Sequence, residues 1–181
     1  LPGIVPLKKT EQEKLLQAAL KVPDYFGINV YETVVFFLDT GIHPSVLANK
    51  EAGKLRYVAD VGDKHIEWYR PKKKGMAAYT RLSISKRLTP FVQRYLSQPL
   101  PNYRQFYNNL LNEVKKVLRK AFPHEDWVDK VCPLSLRHSF AINRLSEGHN
   151  VFEVQQYMNC SRKTLEYYTK YRPDMLSEKT W

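Results

Sequence analysis

The hydrophobic period of this chain changes twice along its length, which constrains the fold more than any single residue does. Apolar residues alternate from Leu55 to Val61 (weakly), from His65 to Tyr69 and from Tyr79 to Ile84. Gly62-Asp63 and the basic run Lys72-Lys73-Lys74-Gly75 lie between them as turn material. On both sides of this stretch the period is helical. Thr10-Glu11-Gln12-Glu13 reads as a capping box, with Leu15, Leu16, Ala19 and Leu20 following at helical spacing. A second helix is expected from about Asn29 to Leu38. Thr40-Gly41 ends it, because glycine accepts the left-handed cap. Ser45 suits the start of a short helix through Leu47 to Lys50.

Helices return after the alternating stretch. They are expected over Arg87 to Leu96, Tyr103 to Ala121, Ser135 to Leu145, Val151 to Met158 and Arg162 to Tyr171, with Glu147-Gly148 as a stop and Pro123 to Val131 a loop or short helix. Tyr103 to Ala121 is long and amphipathic. Phe106, Leu110, Leu111, Val114 and Val117 lie on one side, and Lys115, Lys116, Arg119 and Lys120 on the other. The expectation is a mainly α protein with a small three-stranded antiparallel sheet, an α+β arrangement. No internal repeat or low-complexity segment interrupts it. At 181 residues and 43% hydrophobic content, the chain suits one domain over residues 1–172 and a tail over 173–181.

Charge narrows the partner. Lys and Arg number 29 against 18 Asp and Glu, a net charge of +11. A polyanion is the first expectation, with nucleic acid ahead of an anionic membrane surface. No window approaches the ~18 apolar residues a membrane span needs. No signal peptide is expected from the stretch Leu1-Pro2-Gly3-Ile4-Val5-Pro6, which is short and proline-broken. Cys132 and Cys160 are too few for a disulfide framework and suit a reducing cytoplasm. His65, His124, His138 and His149 are scattered without metal-ligand spacing, so no metal site is expected. No glycine-rich phosphate loop and no serine-hydrolase elbow is present.

The last fifty residues carry the most chemistry. Ser135-Leu136-Arg137-His138-Ser139-Phe140 opens one helical pattern, and Glu166-Tyr167-Tyr168-Thr169 lies on a later one. Cutting a phosphodiester without a metal takes a nucleophile, positive charge on the phosphate oxygens as the pentavalent state forms, and an acid for the leaving oxygen. Arginine suits the second role through its bidentate fork. A tyrosine phenol suits the first when neighbouring cations favour its ionised form.

Leu134 to Ala141, the Glu147-Gly148 stop and Lys163 to Thr169 together resemble the end of a tyrosine recombinase (phage integrase) catalytic domain. Thr40-Gly41-Ile42-His43-Pro44-Ser45-Val46-Leu47 resembles that family's first arginine segment, and the order of elements agrees over nearly the whole chain. The resemblance implies that Arg137 is the second catalytic arginine and Tyr168 the nucleophile forming a 3′-phosphotyrosyl link, with Tyr167 and Tyr171 as neighbours on the same helix. It implies a general-acid lysine in the basic turn, Lys74 or Lys73. It also implies double-stranded DNA as substrate, homo-oligomers on DNA, no cofactor or metal, and no small-molecule substrate. A preceding DNA-binding domain, absent from this sequence, is a further implication. So is a cytoplasmic location, nucleoid-associated or encoded by a virus or mobile element.

The departures from that family matter as much. Its first arginine falls on His43, its supporting glutamate on Val46, its first histidine on Leu134, and its later histidine or tryptophan on Cys160, or on Asn159 if the gap is placed differently. Imidazole carries charge only conditionally near neutrality, whereas guanidinium always does. Losing one donor to a developing anion costs about 3–4 kcal/mol. Leucine neither donates nor accepts, and a thiol donates weakly. Arg81 on the third alternating run is a candidate substitute. DNA contact itself survives these losses through Lys72, Lys73, Arg81, Lys86, Lys116, Arg119, Lys120, Arg162 and Lys163. Three functions therefore stand: a recombinase domain with altered activity, a degenerate relative that binds DNA without cutting it, and a helical module whose basic face meets an acidic protein.

Overall fold

The computed structural model describes residues 5–24, 29–44, 55–60, 63–69, 79–84, 86, 88–97, 103–158, 163, 164 and 166. The chain divides into two compact units, residues 1–41 with 110–181, and residues 42–109.

In the first unit, α1 (Lys9–Ala19) and α2 (Val30–Thr40) precede α4 (Tyr103–Ala121), a 3-10 turn over Asp126–Lys130, α5 (Pro133–Ser146) and α6 (Val151–Met158). The division between the units falls within α4. Helix α2 buries Val30, Val34, Val35, Phe36, Phe37 and Leu38, so it is apolar around most of its circumference. Its β-branched and aromatic residues are mediocre helix formers, and burial rather than propensity holds it helical. It packs on α1 and on α5. Asn29 caps it, accepting a hydrogen bond from the Glu32 amide at 2.9 Å. Asn29→Ala is expected to cost about 1 kcal/mol of stability, read as a lower urea midpoint at unchanged slope.

Three helix starts differ from the sequence reading, α5 among them, which begins at Pro133 rather than Ser135. Helix α1 begins at Lys9 with Lys8 as its cap, and Thr10 lies inside the first turn. Glu11 supplies the reason, because its carboxylate reaches back to the Lys8 amide at 2.8 Å and satisfies one of the donors a helix start leaves open. Helix α3 (Thr89–Ser97) starts two residues later than expected. Pro90 fits only a first turn, where its missing N–H is not needed. By contrast, α4 and α6 have the bounds that periodicity indicates. Along α4, Phe106, Leu110, Val114, Val117 and Leu118 are buried.

The second unit contains β1 (Leu55–Asp60), β2 (Asp63–Tyr69) and β3 (Tyr79–Ser83), antiparallel in the order β1-β2-β3, with α3 against β1. Asp60 pairs with Asp63, which places Asp63 in the strand rather than in the turn expected for it. Ile66 lies opposite Tyr57 on one side and Leu82 on the other, and is fully buried, as nearly are Leu88, Phe91 and Val92. The expected helix after Ser45 and the basic turn Lys72–Lys74 lie outside the described residues.

The start of the chain is fastened to α5. Val5 and Leu7 are buried. The Leu7 amide donates to Ser139 Oγ at 2.8 Å, and Ser139 Oγ in turn donates to the Ser135 carbonyl at 2.6 Å. Gln12 donates to the Leu7 carbonyl at 2.8 Å and exchanges reciprocal amide bonds with Asn143 at 3.0 and 2.9 Å. These contacts fix how α5 is rotated about its own axis, since Ser139 and Asn143 lie on a face different from that of Arg137.

Candidate active site around Arg137

Pro133 occupies the first turn of α5, where its fixed backbone suits a helix start, and Ser135 Oγ accepts from the Cys132 amide at 3.1 Å. Arg137 therefore projects from the first turns of a well-anchored helix. It is half-buried.

Its guanidinium bridges two helix ends. One terminal nitrogen donates to the Gly41 carbonyl, at the C-cap of α2, and the other to the carbonyl of Met158, the last residue of α6. The final carbonyls of a helix have no partner within it, and they carry the negative end of the helix dipole. Two such ends facing one permanent cation form a favourable electrostatic arrangement. A planar fork spans both in a way that a lysine's single nitrogen does not.

Gly41 is shaped for this role. Its φ of 62° lies in the left-handed region, and its amide closes α2 by donating to Phe37 at 2.9 Å. A Cβ placed there would meet the Phe140 ring at 2.3 Å, so the backbone passes directly over that ring. Phe140 belongs to a cluster with Ala141, Ile142, Leu145, Val154 and Met158, with Tyr157 packed against it. The Phe140 and Tyr157 rings are 5.2 Å apart, and the Arg144 guanidinium sits 5.0 Å from the Phe140 centroid. The Tyr157 hydroxyl donates to the Thr40 carbonyl.

The remaining sequence candidates are distributed as follows. His43 is described and half-buried, two residues beyond Gly41 in the chain. Leu134 is half-buried, and His138 is buried. Lys86, Lys120 and Lys163 are exposed. Two of the α4 cations have acidic neighbours. Lys116 lies 3.0 Å from Glu113, and Arg119 pairs with Asp129. Arg81 lies on β3 opposite Glu67 of β2 in the strand register. Lys163, Thr164 and Glu166 have helical backbone, in the stretch expected to be helical. Lys72, Lys73, Lys74, Val46, Asn159, Cys160, Arg162, Tyr167, Tyr168 and Tyr171 lie outside the described residues. Among the described residues no group of three His, Cys, Asp or Glu is placed to hold a metal ion, and no helix is long and apolar enough to cross a membrane.

Sequence reasoning passed over Phe140 and Tyr157 as site residues. One signal was available. Tyr157 sits beside Val154 and Met158 on the inward stripe of α6, and a tyrosine on such a stripe needs an acceptor for its hydroxyl.

No protein-family model matches the sequence, and no curated protein matches it. Solved structures do. The XerH site-specific recombinase bound to palindromic difH substrate, in a post-cleavage complex, superposes with a TM-score of 0.64 at 18% identity, covering 96% of this chain and 52% of that one. The Tn1549 transposon integrase in complex with transposon right end DNA gives 0.60 at 18%, covering 98% and 67%. The XerA recombinase gives 0.62 at 19%, covering 98% and 65%. The chain thus spans about half the length of the XerH chain it matches. With this order of helices and strands, and with Arg137 near the start of the helix that follows the 3-10 turn, the chain has the fold of a tyrosine recombinase or integrase catalytic domain.

Proposed function

We propose that this chain is the catalytic-type domain of a DNA integrase or site-specific recombinase, in which Tyr168 attacks the scissile phosphate and Arg137 neutralises it. The observation that supports this most is the placement of Arg137. A guanidinium held by the ends of α2 and α6 projects from the first turns of α5, the helix on which the resemblance expects the second catalytic arginine. Lys74 or Lys73 would protonate the leaving 5′ oxygen. His43, and in its segment Cys160, would take the positions of stronger donors, which weakens stabilisation of the pentavalent state and favours mildly acidic pH, where imidazole binds a proton.

A second reading shares the fold and drops the chemistry. Leu134 supplies no hydrogen bond, and Arg137 already donates to two carbonyls, which suits a protein that binds duplex DNA without cutting it. One experiment separates the two. A nicked duplex library with a randomised core is incubated with the protein across pH 5.5 to 8, and covalent adducts are isolated under denaturing conditions. The enzyme yields adducts that increase as pH falls and vanish in Tyr168→Phe. A DNA binder yields a salt-dependent gel shift and no adduct at any pH. A helical module for an acidic protein yields neither.

The lysines of α4 and Lys163 are expected to contribute unequally to DNA binding. Each phosphate contact steepens the dependence of log affinity on log salt by about 0.9. Lys120→Gln and Lys163→Gln, at exposed lysines, are each expected to flatten that slope by about one contact. Lys116→Gln is expected to change it less, because Glu113 already lies beside its ammonium.

A further inference from the structure

We infer that Tyr157 is a positioning residue for Arg137, acting through a single peptide plane; the inference rests on the reading above only for its consequence on cleavage. The Thr40 carbonyl and the Gly41 amide belong to one planar group. Tyr157 holds that group from its oxygen side, and the Phe37 carbonyl holds it from its nitrogen side at 2.9 Å. With the plane pinned at both ends and Gly41 at φ 62° and ψ 14°, the direction of the next carbonyl is determined. That next carbonyl is Gly41's own, which receives the Arg137 guanidinium. Tyr157 reaches the plane because its ring packs against Phe140, 5.2 Å away, and Phe140 is the ring over which Gly41 passes.

The same helix supplies the other end of the bridge. Met158, adjacent to Tyr157, contributes the second carbonyl to Arg137. One turn of α6 therefore sets these two carbonyl contacts of the guanidinium, one directly through its backbone and one through the hydroxyl. Removing the hydroxyl leaves the ring packing and the Met158 carbonyl in place, and frees the Thr40–Gly41 plane to rock. The guanidinium then loses its fixed direction while its charge remains.

The test uses the whole chain with 15N-labelled arginine. The Arg137 Nη–H signals are assigned by their loss in Arg137→Lys, and their solvent exchange is compared in wild type and Tyr157→Phe. About tenfold faster exchange is expected in Tyr157→Phe, the size of effect one lost hydrogen bond produces. Melting is expected to fall by a few degrees, because the buried Thr40 carbonyl loses a donor, with duplex affinity unchanged, while adduct yield on the nicked library falls. Phe140→Leu, which keeps the hydroxyl but removes the ring that steadies it, is expected to accelerate the same exchange. Unchanged Arg137 exchange in both variants overturns the inference. If wild type forms no adduct, the enzymatic reading fails, and the exchange comparison still decides the role of Tyr157.

Discussion

Arg137→Ala is expected to lower the stability of the DNA-free protein by about 2–4 kcal/mol, as well as abolishing any covalent adduct. An arginine that served only to meet a phosphate would leave the unbound fold untouched, or slightly more stable. Here the guanidinium makes two charge-assisted bonds, each worth about 1.5–3 kcal/mol, to carbonyls of buried residues. The part-exposed setting of the side chain discounts the sum of about 3–6 kcal/mol to about 2–4 kcal/mol through solvent screening. Arg137→Lys retains the charge but reaches one carbonyl at a time, and an intermediate loss is expected. Urea titration without DNA checks both variants. A midpoint equal to wild type for Arg137→Ala would show that the bridge between α2 and α6 carries no stability.

Gly41→Ala is expected to be the most damaging single-methyl change in the first unit, at about 2–5 kcal/mol. Two independent penalties combine. Left-handed backbone costs a non-glycine residue about 1–2 kcal/mol. The new Cβ would also lie 2.3 Å from a carbon of the Phe140 ring, which is 4% exposed and has little room to yield. Overpacking of that kind costs about 1–3 kcal/mol. The double variant Gly41→Ala/Phe140→Leu separates the two terms. Adding Phe140→Leu to Gly41→Ala should restore part of the loss, leaving the backbone term in place. Strict additivity would mean that Phe140 is not what the methyl meets. DNA affinity measured alongside should fall less than adduct yield, because the carbonyl displaced is one that aims Arg137.

Much of the helical framework was legible because burial and periodicity coincide. Phe106, Leu110, Val114 and Val117 recur at helical spacing and lie on the buried side of α4, so their order in the chain carries the same information as their positions in space. Helix starts were less legible. Thr10 is a better capping residue than Lys8 by type, yet a reaching glutamate decides the matter, and Glu11 reaches back to the Lys8 amide. Pro90 was a readable mark whose restriction on α3 outweighs the apolar pattern. For the candidate site, Arg137 stood out by its neighbours in sequence. Its partners could not, because Gly41 and Met158 contribute main-chain oxygens, which every residue type possesses. Gly41 was legible as a helix stop but not as a residue passed closely over by an aromatic ring, since that proximity joins positions almost a hundred residues apart.

The discontinuity of the first unit bears on how the molecule is made. Leu7 is tied to Ser139, and Gln12 to Asn143, across 132 and 131 positions of sequence. Residues 42–109 are contiguous and can collapse as soon as they leave the ribosome, whereas α1 and α2 wait for α5 before their apolar faces are covered. Closing so long a loop lowers the folding rate more than the final stability. During synthesis, the large apolar face of α2 is left without its α5 partner until α5 has been made, which makes it a segment a chaperone would be expected to hold.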